Sequence, residues 1–246
     1  MEEYMGKSQE PKGKRDSINS LVFELRYKPD PTLVDRRGTL VRDLSKCLDL
    51  PRWLIDTNKV EISSDDKREM VIVSFKNLWY NILDAETPKA FQEKARKLLE
   101  IVAKKYSAFE DATAEFVGIR STFCTEFAGT LESLVTRFES RCVNITPAVR
   151  AIIDGTLVDI GAPMNFKDSL GDFNIKSGPM GENQIREFFP KHTVVPDVGF
   201  FLDIDYLLRR DDKIDVKRLC DRIQKCSDAA WGKNREFAEL ILGRGE

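Results

Sequence analysis

Asp203 and Asp205 stand two residues apart inside the run VGFFLDIDYLLRRDD (198–212). Alternate residues of a strand share a face, so both carboxylates point the same way with α-carbons roughly 7 Å apart. Such a pair could bridge a hard cation such as Mg2+ or Mn2+, as in enzymes that handle phosphates or nucleotides. Glu24, on SLVFELRY (20–27), is the candidate for a third oxygen ligand. Yet the chain has neither a GxxxxGK[ST] loop nor a GxGxxG to hold phosphates. The blander role for the two aspartates is to face solvent or to pair with an arginine on a neighbouring strand, Arg26 or Arg120. Opposite charges across a sheet are ordinary stabilisers, and we expect this second role.

The other reactive residue types are sparse. His192 is the single histidine, in the loop FPKHTVVPD, and no HExxH or GxSxG exists for it to serve. The five cysteines, Cys47, Cys124, Cys142, Cys220 and Cys226, show no CxxC spacing. They are expected to be reduced, small core hydrophobes. SGPMG (177–181) has a GxxG spacing, but two glycines around a proline more often make a turn. No cofactor is implied. A nucleic-acid surface would draw on Lys94, Lys97, Lys104 and Lys105 of one helix, with Arg209 and Arg210 from LLRRDDK. No GFGFV-like aromatic run accompanies them, and Glu93 and Glu100 balance the lysines, so a solvated helix face is expected.

The elements that must position these residues follow from hydrophobic period. In SLVFELRY, Leu21, Phe23, Leu25 and Tyr27 alternate with Val22, Glu24 and Arg26, the pattern of a half-buried strand. Leu33, Leu40, Val41, Leu44 and Leu48 mark a helix ending before Pro51. KVEISS and REMVIVSF make a hairpin continued by NLWYNIL, and residues 87–109 a helix with Thr87 as cap and Pro88 at its first position. AEFVGIRSTFCTEF (114–127) is a long strand. In the second half, 131–142 and 146–154 read as helices, 155–166, 171–180 and 198–208 as strands, and 214–242 as a closing helix with Val216, Leu219, Ile223, Ala230, Phe237 and Leu240 facing inward, stopped by Gly243. The expected fold class is α+β. It would comprise two ferredoxin-like halves (β-α-β-β-α-β type), 17–127 and 128–246, forming one unit with a long C-terminal helix and a polar tail at 1–16.

With 39 basic against 41 acidic residues the net charge is −2, which argues against bulk nucleic acid or anionic membrane as the main partner. There is no apolar run of membrane-spanning length, and the N-terminus lacks a signal-peptide core, so a cytoplasmic protein is expected.

SLVFELRYKP (20–29), GFFLDIDYLL (199–208) and WGKNREFAELI (231–241) together resemble a sporadically distributed, uncharacterised prokaryotic family. Its members begin with an FELR-type strand and end with an LDID-type strand and a helix. EFVGIRSTF (115–123) partly matches the family's central strand, and Ala230 and Trp231 stand where members often carry a histidine. The resemblance implies no activity, but its patchy distribution is similar to that of mobile-element and antiviral-defence genes. Three functions are therefore weighed. The first is a non-enzymatic cytoplasmic adaptor, sensor or regulator whose partner is another protein, encoded nearby or a second copy of itself. The second is a divalent-metal enzyme on nucleotides or nucleic acid using Asp203, Asp205 and Glu24. The third is an RNA- or DNA-binding module. The first is the one we expect.

Overall fold

A computed structural model describes residues 17–31, 35–106, 108–153, 155–191 and 193–243, without the side chains of 108, 110 and 210. The expected tail 1–16, His192 and the side chain of Arg210 lie outside the described residues.

The chain runs β1 (Ser17–Tyr27), α1 (Arg37–Leu48), β2 (Arg52–Ile55), β3 (Lys59–Ser63), β4 (Glu69–Ser74), β5 (Asn77–Leu83), α2 (Pro88–Lys105), α3 (Ala108–Asp111) and β6 (Thr113–Glu126). It continues through α4 (Leu131–Phe138), a π-helical turn (Glu139–Val143), α5 (Pro147–Ile153), β7 (Ala162–Asp168), β8 (Gly171–Gly181), α6 (Glu182–Ile185), β9 (Val198–Lys213) and α7 (Val216–Leu242). Among the described residues all nine strands form one antiparallel sheet in the order β2-β3-β4-β5-β1-β6-β9-β8-β7. The protein is α+β with a long C-terminal helix. Its second half runs α-α-β-β-α-β-α and adds its three strands to the sheet of the first, so β6 and β9 join the halves directly.

One sheet face carries the main core. Leu21, Phe23, Leu25 and Tyr27 of β1 and Phe200, Leu202, Ile204 and Tyr206 of β9 are buried there. Helices supply the other side of that layer. Leu40, Leu44 and Leu48 of α1, Phe91, Ala95, Leu98, Leu99 and Val102 of α2, and Leu219, Ile223 and Ala230 of α7 point inward at helical spacing. Asp215 caps α7 by accepting the Arg218 N–H at 3.0 Å, and Gly243 ends it with φ +68. Thr87 precedes α2 as expected but its side chain makes no cap hydrogen bond.

The second face carries a smaller apolar cluster at one end. There Ile185, Phe189 and Val195 from the stretch after β8 pack on Ile18, Leu83 and Cys124. Beyond that cluster the face carries polar side chains among the described residues, and Glu24, Asp203 and Asp205 stand on it.

Two local expectations are corrected, and one strand is added. Arg52–Ile55 is a strand that the sequence pattern did not show, because none of its residues is buried. Residues 155–161 were expected in a strand, but pairing with β8 begins only at Ala162. Leu240, expected to face inward, is exposed, and Ile241 and Leu242 are buried in its place.

Candidate functional site

Register places the polar residues of the second face in rows across the strands. One row runs Met70, Asn81, Val22, Arg120, Asp205, Asn174 and Asn165. Beside it lie Thr122, Asp203 and Lys176, and on the other flank Trp79, Glu24, Gly118 and Leu207. The sequence anticipated that Asp203 and Asp205 share a face with Glu24. It did not anticipate Thr122, Lys176 or Asn174, whose nearness depends on pairing between segments far apart in the chain.

Asp203 is only 4% exposed and fully engaged. Arg120 donates to it from Nε at 2.8 Å and from a terminal nitrogen at 2.9 Å, and the Thr122 hydroxyl donates at 2.9 Å. A fork of this kind is among the stronger polar contacts, because charge and planar geometry match together. Of the two arginines considered for the pair, the structure selects Arg120. Arg26 instead forks onto Glu24 in its own strand, at 2.6 and 3.2 Å, and its guanidinium lies 4.9 Å from the centre of the Phe116 ring. The three carboxylates are thus neighbours on one face, but two are already held by guanidinium groups. Among the described residues no three His, Cys, Asp or Glu side chains are grouped to hold a metal ion.

Asp205 is different. Among the described residues it makes no hydrogen bond or ion pair. Burial, with the adjoining Asp203 and then Glu24, pushes its carboxyl up to about 6, against a pull downward from Arg120 and Lys176. It can therefore exchange a proton close to neutral pH. Nothing beside it is an activated nucleophile. Burial raises the Cys124 thiol to about 12 and the Cys226 thiol to about 11, so both stay protonated at neutral pH.

Next to this constellation lies a cleft of about 270 Å³ between residues 159–163 and the tilted ring pair Phe188 and Phe201, with Lys176 and Gln184 in its wall. Gln184 bonds Asp159 at 3.1 Å and the Gly181 N–H at 2.9 Å, tying the cleft's rim to α6.

The basic candidates do not gather into one surface. Lys94 is ion-paired with the buried Glu69, which also accepts from the Tyr80 hydroxyl at 3.0 Å. Lys105 reaches Asp43 at 3.9 Å, while Lys97 and Lys104 are exposed on α2. All four belong to the helix layer. Arg209 falls on the other face, opposite Phe116.

Exposed apolar side chains, scattered singly at Phe166, Phe188, Val194 and Leu240, cluster in two stretches. Ile152 and Val158 are 83% and 77% exposed, with Val143, Val149 and Ile153 alongside, and neither α5 nor the π-helical turn buries a residue. Arg141 of the π-helical turn donates to the Leu240 carbonyl of α7, and Arg150 of α5 pairs with Glu139 of the same turn. The second place is β2, where Trp53, Leu54 and Ile55 are 61%, 56% and 40% exposed. Among the described residues no helix is long and apolar enough to cross a membrane.

Compared with known proteins, the chain matches no family model and no curated relative.

Proposed function

We propose that the protein is a non-enzymatic interaction module, an adaptor, sensor or regulator that acts by holding another protein. One observation carries this reading: residues 143–158 present five apolar side chains to solvent, three of them (Val149, Ile152 and Ile153) on α5, a helix that buries none of its own. Apolar surface gathered in one stretch in this way is typical of protein contact sites rather than of solvated helices. The guanidinium-held carboxylates support the same reading, since the fork on Asp203 rigidifies the sheet rather than leaving ligands for a cation. The order β4-β5-β1-β6, with α1 and α2 in one helix layer, supports reading residues 17–127 as a ferredoxin-like half. Together with the FELR-type and LDID-type strands, this fits a cytoplasmic component of a mobile-element or defence system.

The test replaces Val149, Ile152 and Ile153 by aspartate. All three are exposed, so the fold is expected to melt unchanged. Tagged wild-type chain expressed in its own host should retain a defined partner that the triple variant loses. Equal recovery of that partner by both chains would remove the α5 surface from the reading. Heat released on titration with Mn2+, abolished by Asp205→Asn, would favour the metal-enzyme alternative instead.

A further inference from the structure

The sheet has two outer edges, and they are built differently. β7 carries Pro163 and Lys167, residues that discourage further strand pairing, and its exposed Phe166 stacks on Phe173 at 5.4 Å. β2 carries Trp53, Leu54 and Ile55 with both faces exposed. We propose that two copies of this chain pair edge to edge through β2, antiparallel and centred on Leu54, joining their sheets into one.

The backbone direction of β2 sets which groups are available. The Asp56 N–H donates to the Lys59 carbonyl at 2.9 Å, so those two residues form a hydrogen-bonded pair of the β2–β3 ladder. Direction alternates along an antiparallel strand, so Leu54 and Arg52 also point their backbone groups at β3. The N–H and C=O of Trp53 and Ile55 therefore point outward, and no strand among the described residues lies beyond them. Pro51, at the next outward position, has no N–H to leave unpaired.

A two-fold axis through Leu54 uses all of these groups. Trp53 meets Ile55 of the second copy as a hydrogen-bonded pair, and Ile55 meets Trp53, giving four backbone hydrogen bonds. Leu54 meets Leu54. Arg52 meets Asp56, once at each end, so charges of opposite sign face one another. Other centres fit less well. An axis at Trp53 sets Pro51 against Ile55 and wastes a hydrogen bond, and an axis at Ile55 sets Leu54 against Asp56. Arg52 already holds Asp65 through Nε at 2.5 Å, an exposed pair that does not block the outward edge.

The side-chain layers agree. Trp53 and Ile55 continue the helix-side rows that run through Ile62 and Val71, and through Val60 and Val73, all buried. The apolar layer thus runs out to an uncovered edge, and a second copy extends it by its own Trp53 and Ile55. Arg52, Leu54 and Asp56 lie on the opposite face as a row that is complementary to itself when reversed.

This inference stands apart from the α5 surface, and its readout is mass rather than partner capture, so either can fail alone. Sedimentation of the intact chain should show a species near twice 28.2 kDa as concentration rises. A four-residue edge buries little area, so association is expected over about 1–100 µM. Trp53→Lys with Ile55→Lys sets lysine against lysine twice and should give a monomer with unchanged melting. In a Cys47→Ser, Cys142→Ser background, Leu54→Cys should oxidise to a disulfide dimer, because a non-hydrogen-bonded pair brings α-carbons to about 4.5 Å. Trp53→Cys should not. A monomer throughout that range, a dimer that survives the lysine pair, or cross-linking at 53 in preference to 54 would each overturn the proposal.

Discussion

Arg120 lies directly opposite Asp205 in the β6–β9 ladder, yet its guanidinium grips Asp203, one pleat further along β9. The diagonal choice divides the labour of two carboxylates on one face. Asp203 receives the fork and a hydroxyl and becomes structural. Asp205 is left with neighbours but no bond, and its affinity for a proton rises.

The fork is measurable as a coupling. Removing Arg120 leaves the buried Asp203 carboxylate with only the Thr122 hydroxyl, so Arg120→Met should cost about 2–4 kcal/mol although the methionine still packs, while Asp203→Ala strands only a half-exposed guanidinium and should cost about 1–2 kcal/mol. In the double variant the losses should fall short of their sum by about 1–2 kcal/mol. Urea unfolding of the four proteins gives these values, and strict additivity would show that the fork contributes nothing.

Asp205 makes stability depend on pH with a defined sign. Its carboxyl is raised from the ordinary range to about 6, so between about pH 4 and 6 the folded chain holds a proton that the unfolded chain has released. That contribution is complete below pH 4 and is lost as pH rises through 6. At pH 7.5 the ionised form is a burden, and Asp205→Asn should stabilise. Full conversion of the shift is about 3 kcal/mol, and solvent access to this half-buried group reduces the expectation to about 1–2 kcal/mol. At pH 4 the two proteins should unfold together. A difference that stays constant from pH 4 to 7.5 would contradict the assignment.

These relationships were only partly legible in the sequence. Residues 20–27 showed their strand because one face is buried and the other is not, which is what alternation encodes. Arg52–Ile55 hid theirs because neither face is covered, so Trp53, Leu54 and Ile55 follow one another without a period. Residues 155–161 carry Leu157, Val158 and Ile160 and imitate a strand, but do not pair with β8; Ile160 and Gly161 lie against Gly178 instead. Arg120 could be named as a partner for the aspartates, since charge and strand were visible. Which aspartate it would hold depends on register and pleat, and those are settled only when β6 and β9 meet.

The cysteines give an independent check on burial. Of the five cysteines expected in the core, only Cys124 and Cys226 are buried; Cys220 is half-buried, and Cys47 and Cys142 are exposed, against that expectation. A chromogenic disulfide reagent on native protein at pH 7.5 should therefore modify Cys47 and Cys142 first, with Cys142 slowed because partial burial raises its thiol. Cys124 and Cys226 should react only on unfolding, as rates follow thiolate fraction and access. Rapid labelling of Cys226 would mean that α7 does not lie on the sheet as described.

The close approach of Ile160 and Gly161 to β8 depends on one glycine. A side-chain carbon at Gly178 would sit 2.6 Å from the Ile160 carbonyl oxygen and 3.3 Å from the Gly161 α-carbon. Both neighbours are backbone and cannot swing aside, so Gly178→Ala must lift the segment or strain the strand, at about 1–3 kcal/mol. Lifting would break the 3.1 Å bond from Gln184 to Asp159 and widen the cleft beside Phe188 and Phe201. The variant should therefore show faster amide exchange and protease cleavage within 155–161 while β6 and β9 stay protected. Gly161→Ala is the control: its added carbon meets only the Ser177 carbonyl oxygen at 3.8 Å, an ordinary contact, and should leave exchange unchanged. Equal protection of the segment in both variants would mean that it does not rest on Gly178.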